Sequence, residues 1–192
     1  MISVAEARAL MEQWVENPAL RVHMESVACC MQRYATEYSP DDVDRWIIAG
    51  LLHDFDYEKH PTPDEHPFVG AAYLTERGDV DEEIIEAILG HADYSGVARV
   101  TPMAKTLFAV DELAGFIVAC CKVRPNGISD LTTKSVKKKL KDGRFAAAVS
   151  REDIQEGILE LEVDATSHIQ SCIDALRAES HRLGLSPDEG CA

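Results

Sequence analysis

A histidine and an aspartate, His53 and Asp54, stand at the end of an uncharged stretch that runs from Trp46 to Leu52. The stretch is apolar on every side rather than along one stripe, which predicts a helix buried in the middle of a domain. A carboxylate buried beside an imidazole is costly unless a partner compensates its charge. A metal cation would be such a partner, and it would require further ligands elsewhere in the chain.

Two further metal-binding side chains interrupt apolar helix faces. His23 lies on the apolar face of a helix predicted from Pro18 to Tyr38, and Asp111 lies within the apolar stripe of a helix that starts at Pro102. A lone histidine on such a face is more often a hydrogen-bonded core residue than a ligand. Several ionisable residues on separate apolar faces are harder to explain in this way, because each would need its own buried partner.

Two more histidines stand at helix boundaries. Pro67 is predicted in the first turn of a short helix with His66 near its cap, and His91 follows the apolar face of a helix that Asp81 opens. Six imidazole and carboxylate ligands exceed the needs of one four-coordinate structural site, so they predict two divalent ions that share a carboxylate. Iron, manganese and zinc all suit this ligand set. The candidate metal ligands are His23, His53, Asp54, His66, His91 and Asp111.

The composition predicts an all-helical protein without a nucleic-acid-binding surface. Of the 192 residues, 46% are hydrophobic but only 6% aromatic, and alternating runs of β-branched residues are nearly absent. The formal net charge of −15 argues against binding of a nucleic acid polymer, because that mode needs clustered Lys and Arg. The section at 126–149 is locally basic, and its cluster of Lys137, Lys138, Lys139 and Lys141 is most simply a solvated helix face. The chain has no phosphate-binding GxxxxGK loop, no HExxH and no GxSxG.

Further features of the sequence indicate the location of the protein, the state of its cysteines and the exposure of its remaining histidines. The N-terminus does not resemble a signal peptide and no apolar run is long enough to span a bilayer, so we expect a soluble cytoplasmic protein. The six cysteines include no CxxC pair and are interpreted as small core residues in a reducing compartment. His168 and His181 are predicted on the surface, and the tail at 186–192 is predicted to fray.

The order of the candidate ligands resembles that of the HD superfamily of metal-dependent phosphohydrolases. A lone histidine on an early helix, the pair His53-Asp54 and the later Asp111 carry the resemblance, which covers roughly residues 18–125. His66-Pro67 and the segment after it, together with His91, resemble the binuclear branch, which includes hydrolases that split diadenosine tetraphosphate symmetrically. The Gly-Tyr-Pro signature of the cyclic dinucleotide phosphodiesterases is absent.

The resemblance implies an HD-type bundle of about eight to nine helices, forming a single domain over residues 1–192. Its core would span 18–125, with a helical extension at 126–185. It implies a phosphohydrolase for a small phosphorylated metabolite or nucleotide, with His53 and Asp54 as the catalytic pair and Asp54 as the bridging carboxylate between two ions. Three basic residues could hold distal phosphates, although solvated side chains are an equally good explanation for them: Lys59, Arg99 and Lys105.

Three alternatives stay open. Some HD proteins are di-iron oxygenases with the same four histidines and two aspartates, and others are non-catalytic signalling modules. A nucleoside monophosphate phosphatase is disfavoured because Tyr57, with Glu58 one position late, stands where some mononuclear nucleotidases have a glutamate. The sequence indicates neither the substrate, nor the metal, nor the oligomeric state.

Overall fold

The computed structural model describes residues 1–186, and these residues form helices without any strand. The predicted all-α class is therefore confirmed. Apart from Ser186, the tail predicted to fray lies outside the described residues. The α-helices are α1 (Val4–Trp14), α2 (Pro18–Tyr38), α3 (Val43–Leu52), α4 (Phe68–Arg77), α5 (Glu82–Gly90), α6 (Pro102–Lys122), α7 (Thr133–Leu140), α8 (Arg151–Glu160) and α9 (Ala165–Ala178), with a 3-10 turn at Asp93–Ser95.

Local sequence chemistry sets most helix boundaries. Ser3 and Glu6 form a reciprocal capping box at the start of α1, as their spacing predicts. Gly78 ends α4 in the left-handed conformation that glycine adopts without strain. Pro67 was expected inside the first turn of α4, but it is the N-cap residue and the helix begins at Phe68. His66 therefore stands directly before the N-cap residue.

Helix α3 lies at the centre of the fold, as its uniformly apolar sequence predicts. Six of its ten residues are buried, and the apolar residues Val43 and Ile47 are partly exposed. At Gly50 the backbone touches α2 so closely that an added Cβ would lie 2.6 Å from the Cα of Ala28. This close approach brings the end of α3, and with it His53, against the segment of α2 that carries His23.

The C-terminal helices pack against the helices that carry the candidate ligands. Helix α8 packs on α6, and α9 packs on α2. At Gly157 the α8 backbone lies so near α6 that an added Cβ would be 2.6 Å from the Cα of Ala109. The division into a core and an extension stays a prediction, but α8 is positioned to form a wall above the ligands of α6.

His168 is fully buried, so its predicted surface position is wrong. It precedes Cys172 by four residues and therefore lies on the same apolar face of α9. Its Nδ1 hydrogen-bonds with the hydroxyl of Tyr34, and its Nε2 lies 3.0 Å from the carbonyl oxygen of Ala109, to which it donates. Both ring nitrogens are satisfied, which explains how an imidazole is accommodated in this core.

The cysteines within the described residues behave as core residues. Cys29, Cys30, Cys120, Cys121 and Cys172 are all buried and form no disulfide. Burial raises the pKa of Cys29 and of Cys121 to about 12, which keeps these thiols protonated. The remaining cysteine lies outside the described residues. Among residues 1–186, no helix combines the length and the apolar character that a membrane span requires.

Candidate metal centre

Three side chains from three helical segments meet at one end of the buried helix. His23 projects from α2, His53 ends α3 and Asp111 projects from α6. The two Nε2 atoms of His23 and His53 lie 3.1 Å apart. Asp111 Oδ1 lies 2.9 Å from the Nε2 of His23 and 3.3 Å from that of His53. Three segments far apart in the chain thus converge on one point.

A second pair of histidines lies on the other side of Asp54. His66, in the segment before α4, and His91, at the end of α5, have their Nε2 atoms 3.3 Å apart. Each of these atoms is also 3.3 Å from Asp54 Oδ1. Asp54, His66 and His91 therefore form a group with the spacing of metal ligands, as do His23, His53 and Asp54.

Asp54 belongs to both groups through different oxygen atoms. Its Oδ1 faces His66 and His91, whereas its Oδ2 lies 3.6 Å from the Nε2 atoms of both His23 and His53. A carboxylate whose two oxygens face separate ligand groups has the arrangement needed to bridge two cations. The structure thus brings together all six predicted ligands and places Asp54 between the two groups.

Backbone carbonyls fix the orientation of two imidazole rings. His53 Nδ1 lies 2.9 Å from the carbonyl oxygen of Gly50, and His91 Nδ1 bonds in the same way to that of Ile88. Since a carbonyl oxygen only accepts, each Nδ1 carries the hydrogen, and the neutral ring presents an Nε2 lone pair to the centre. Both carbonyls belong to the last turn of a helix, where a carbonyl oxygen lacks the usual N–H donor four residues later.

Asp56 performs the same task for His66, and the sequence reasoning missed it. Its Oδ1 lies 2.7 Å from His66 Nδ1, and its Oδ2 accepts a hydrogen bond of 2.6 Å from the backbone N–H of Gly70. The loop from Phe55 to Glu65 is polar in sequence, yet Phe55 and Asp56 are buried. The only sequence feature that could have indicated this contact is the glycine at position 70. A larger residue does not fit there, because an added Cβ would lie 2.9 Å from the Asp56 carboxyl carbon.

The electrostatics of the cluster favour a cation at its centre. Burial lowers the pKa of His53, but Asp54 and Asp111 outweigh burial and raise this pKa to about 9. His66 behaves alike: burial lowers its pKa, and Asp54 with Asp56 raises it to about 9. Burial raises the pKa of Asp54, yet the charge of His53 and hydrogen bonds from the other histidines hold it well below its usual range. The carboxylates that favour protonation of these imidazoles would equally attract a divalent cation, and the cation would then replace the protons.

The spacing of the donor atoms fits metal ions. Bonds of about 2.0–2.1 Å to imidazole nitrogen imply that ligand atoms around one ion lie roughly 2.9–3.4 Å apart. The contacts among His23, His53 and Asp111, and those among Asp54, His66 and His91, fall in this range. Two neutral imidazoles at such distances present lone pairs to each other, which is unfavourable without a proton or a metal between them.

The sequence matches the HD domain family over residues 21–115, about half of the chain. The chain belongs to the HD-domain superfamily. The matched segment begins just before His23 and ends after Asp111, so it contains the complete ligand set. No curated protein and no solved structure matches the sequence significantly. The relationship to HD proteins agrees with the resemblance seen in the ligand order.

An open cavity of about 450 Å³ lies over the two candidate ligand groups of this HD protein. Helix α6 supplies Asp111, Glu112 and Gly115 to its wall, and the region leading into α8 supplies Ala148 and Val149. The lining residues are His23, Asp54, Tyr57, His66, His91, Ala92, Asp93, Tyr94, Phe108, Asp111, Glu112, Gly115, Ala148, Val149 and Asp153. This volume is in the range of small-molecule sites, and no Ser, Thr, Cys, Lys or Arg appears among these lining residues.

The three basic residues predicted to hold phosphates do not line this cavity. The Lys59 amino group lies 4.9 Å from the centre of the Trp14 ring. The guanidinium of Arg99 pairs with Glu160 and Asp93, each at 2.6 Å. Lys105 lies partly exposed on α6. Their role in substrate binding stays a prediction, and Arg99 already has carboxylate partners.

Tyr57 and Glu58 also have defined positions. The Tyr57 ring packs edge-on against His66, with 5.1 Å between the ring centres, and it lines the cavity. Glu58 turns away, because its Oε2 accepts hydrogen bonds from the backbone N–H groups of Glu16 and Asn17, before α2. The carboxylate that some nucleotidases place near the metal is therefore not supplied by Glu58 in this arrangement.

Glu112 adds a carboxyl group next to the candidate ligand Asp111. Its Oε2 accepts a 3.0 Å hydrogen bond from the backbone N–H of Ser150, the N-cap residue of α8. Burial, followed by the nearby charge of Asp111, raises the pKa of Glu112 to about 7. This bond ties the start of α8 to α6 and thereby fixes the far wall of the cavity.

Proposed function

We propose that this protein is a phosphohydrolase that uses two divalent metal ions to cleave a small phosphorylated metabolite. The observation that carries the proposal is the position of Asp54, whose two carboxylate oxygens face separate histidine pairs at 3.3 and 3.6 Å. The phosphohydrolase chemistry typical of HD domains supports it. The complete ligand set argues against a purely non-catalytic signalling module.

The metals would supply an activated water and would polarise a phosphoryl oxygen. The protein's own residues hold the reacting groups in place: His23, His53 and Asp111 on one side, His66 and His91 on the other, with Asp54 between them. The cavity lining offers no serine, threonine or cysteine, and its histidines and the carboxylates of Asp54 and Asp111 would be occupied as metal ligands, so water would be the nucleophile. Its oxygen forms the new bond to phosphorus, the ester P–O bond breaks, and the alcohol leaves with a proton derived from water.

The cavity favours a small substrate over a polymer. Its volume of about 450 Å³ accommodates a metabolite, and the net charge of −15 opposes the binding of nucleic acid. The walls beyond the ligands carry carboxylates and no basic side chain, so they would repel additional phosphates. These features favour a monophosphate ester over a diadenosine polyphosphate.

The test combines metal analysis with a substrate panel. The purified protein is analysed for iron, manganese and zinc, reconstituted with each metal and assayed for phosphate release from monophosphate esters. We expect two ions per chain and metal-dependent hydrolysis. Asp54→Asn should reduce the rate about a thousandfold or more, because several kcal/mol of stabilisation from the metals is lost. Asp64→Asn, on an exposed residue of the neighbouring loop, is the matched control. Metal-loaded protein that releases no phosphate would contradict the proposal.

A di-iron oxygenase is the second candidate, and one observation favours it. The cavity lining contains no Lys or Arg, which suits an uncharged organic substrate better than a phosphate ester. Two bound iron ions, a mixed-valent electron paramagnetic resonance signal and oxygen consumption with an organic substrate would select this function. Phosphate release with redox-inactive zinc would select hydrolysis.

A further inference from the structure

The outer part of the cavity combines aromatic rings with carboxylates. Tyr57 and Tyr94 line the cavity and are 44% and 53% exposed, so their rings are accessible to a ligand. Burial raises the pKa of Tyr94 to about 12, with smaller contributions from Asp54 and Tyr57, so it is a neutral phenol at pH 7. Glu112 and Asp153 add carboxyl groups to the lining.

Asp153 is held over the metal centre by the start of α8. Its backbone N–H donates a 3.1 Å hydrogen bond to Ser150 Oγ, and the Ser150 N–H in turn donates to Glu112. Within residues 1–186, the Asp153 carboxylate has no Lys, Arg or His within ion-pair distance. The third outer carboxylate, Asp93, differs because Arg99 neutralises it at 2.6 Å. Asp153 therefore presents a carboxylate to the cavity without a cationic partner.

The distribution of charge separates the cavity into two regions. Two divalent ions would more than offset the charges of Asp54 and Asp111, leaving a net positive inner region that suits one phosphoryl group. The outer region has carboxylates and electron-rich ring faces but no basic side chain. Ring faces and carboxylates are the groups that bind organic ammonium ions, through cation–π and ionic contacts.

We propose that the substrate carries an organic ammonium group beside its phosphoryl group, recognised by Asp153 and by the rings of Tyr57 and Tyr94. This inference rests on the proposed hydrolase function and names the substrate class of the same site. The phosphoryl group would lie at the metal centre and the ammonium group in the outer region. A nucleoside monophosphate stacking on the tyrosines is the competing outcome of the test.

The experiment compares charged substrates with neutral molecules of the same shape, using the metal-loaded protein. Phosphocholine is paired with 3,3-dimethylbutyl phosphate, and phosphoethanolamine with propyl phosphate; adenosine monophosphate is included as the nucleotide probe. We expect kcat/KM to be at least about tenfold higher for the charged member of each pair, which is the effect of one partly desolvated ionic or cation–π contact. Equal or better hydrolysis of the neutral members, or of adenosine monophosphate, would overturn the proposal.

Variants separate recognition from structural effects. Asp153→Asn should raise KM about tenfold for the charged substrates alone, with kcat within about twofold of the wild-type value. Glu152→Gln removes the same charge from the neighbouring, exposed position of α8 and should preserve the preference. Tyr94→Leu should weaken the binding of phosphocholine and leave that of 3,3-dimethylbutyl phosphate unchanged. Tyr94→Phe keeps the ring face and should retain phosphocholine binding. If Asp153→Asn impairs charged and neutral substrates equally, Asp153 is not a recognition residue.

Binding measurements distinguish failure of this inference from failure of the proposed function. Isothermal titration calorimetry of the metal-loaded protein gives the affinities for phosphocholine and 3,3-dimethylbutyl phosphate without requiring turnover. If no ester is hydrolysed but phosphocholine binds more tightly, and Asp153→Asn removes that difference, the hydrolase proposal fails and cation recognition stands. If esters are hydrolysed without any preference for the charged member, the hydrolase proposal stands and cation recognition is wrong.

Discussion

Replacing Asp56 by asparagine tests how the second half of the metal centre is positioned. The buried carboxylate makes two hydrogen bonds, 2.7 Å to His66 Nδ1 and 2.6 Å to the N–H of Gly70. Both partners are donors, whereas an asparagine amide offers one acceptor and one donor group. The shape is preserved in Asp56→Asn, but one of the two donors must then face the NH₂ group.

The size of the effect follows from these two contacts. A buried donor left without its acceptor costs about 1–3 kcal/mol, so the free energy of unfolding of the metal-free protein should fall by about that amount. Loss of a carboxylate behind a metal-binding histidine typically weakens metal affinity by about 10–100-fold. The affinity should fall for the ion held by Asp54, His66 and His91, because the rings of His23 and His53 do not contact Asp56.

Competition titration with a chelator would measure both affinities in the wild type and in Asp56→Asn. We expect one ion to bind as in the wild type and the other about 10–100-fold more weakly. Asp64→Asn, on an exposed aspartate of the same loop, should leave both affinities unchanged. Wild-type affinity for both ions in a destabilised Asp56→Asn protein would refute a positioning role for Asp56.

Three further outcomes are expected. In Gly70→Ala the added Cβ would lie 2.9 Å from the Asp56 carboxyl carbon. The substitution should therefore lower the free energy of unfolding by about 1–3 kcal/mol through overpacking and weaken binding of the same ion as Asp56→Asn does. Gly143→Ala, whose Cβ would meet no atom within 4 Å, is the control, and the stability of both variants is measured by denaturant unfolding. Burial lowers the pKa of His168 in the folded protein. As the pH falls below about 6.5, the unfolded chain therefore binds a proton at this histidine more readily than the folded protein does. The stabilisation that the neutral imidazole contributes at neutral pH is lost over this range. His168→Gln should therefore be less stable at pH 7 but show a smaller decline between pH 7 and 5, and parallel declines would contradict this assignment. Removing the metals with a chelator should abolish hydrolysis and lower Tm in calorimetry, with Tm restored as the free metal concentration rises above Kd.

The helices and the six ligands could be predicted because their signals are local. The boundaries of α2 and α6 follow from prolines at their starts and polar breakers at their ends. Each ligand interrupts an apolar face or stands at a helix end, so its inward direction follows from helical periodicity. The order of these residues along the chain then indicated the family.

The remaining features depend on contacts between distant segments. The role of Asp56 depends on the close approach of Gly70, fourteen residues later, and loop composition alone gives no measure of burial. His168 could have been placed correctly from its spacing to Cys172, but its partners Tyr34 and Ala109 lie on other helices. The charge of the cavity wall depends on Asp153, which α8 brings to the site from outside the segment shared with other HD proteins.

Anomalous X-ray diffraction from crystals of the metal-loaded protein tests the central claim most directly. The account predicts two metal peaks about 3.5–4 Å apart, as in other two-metal sites. One ion should contact Asp54 Oδ2 with His23, His53 and Asp111, and the other should contact Asp54 Oδ1 with His66 and His91. A single peak, or two ions with Asp54 bound to one of them alone, would contradict a two-metal centre bridged by this carboxylate.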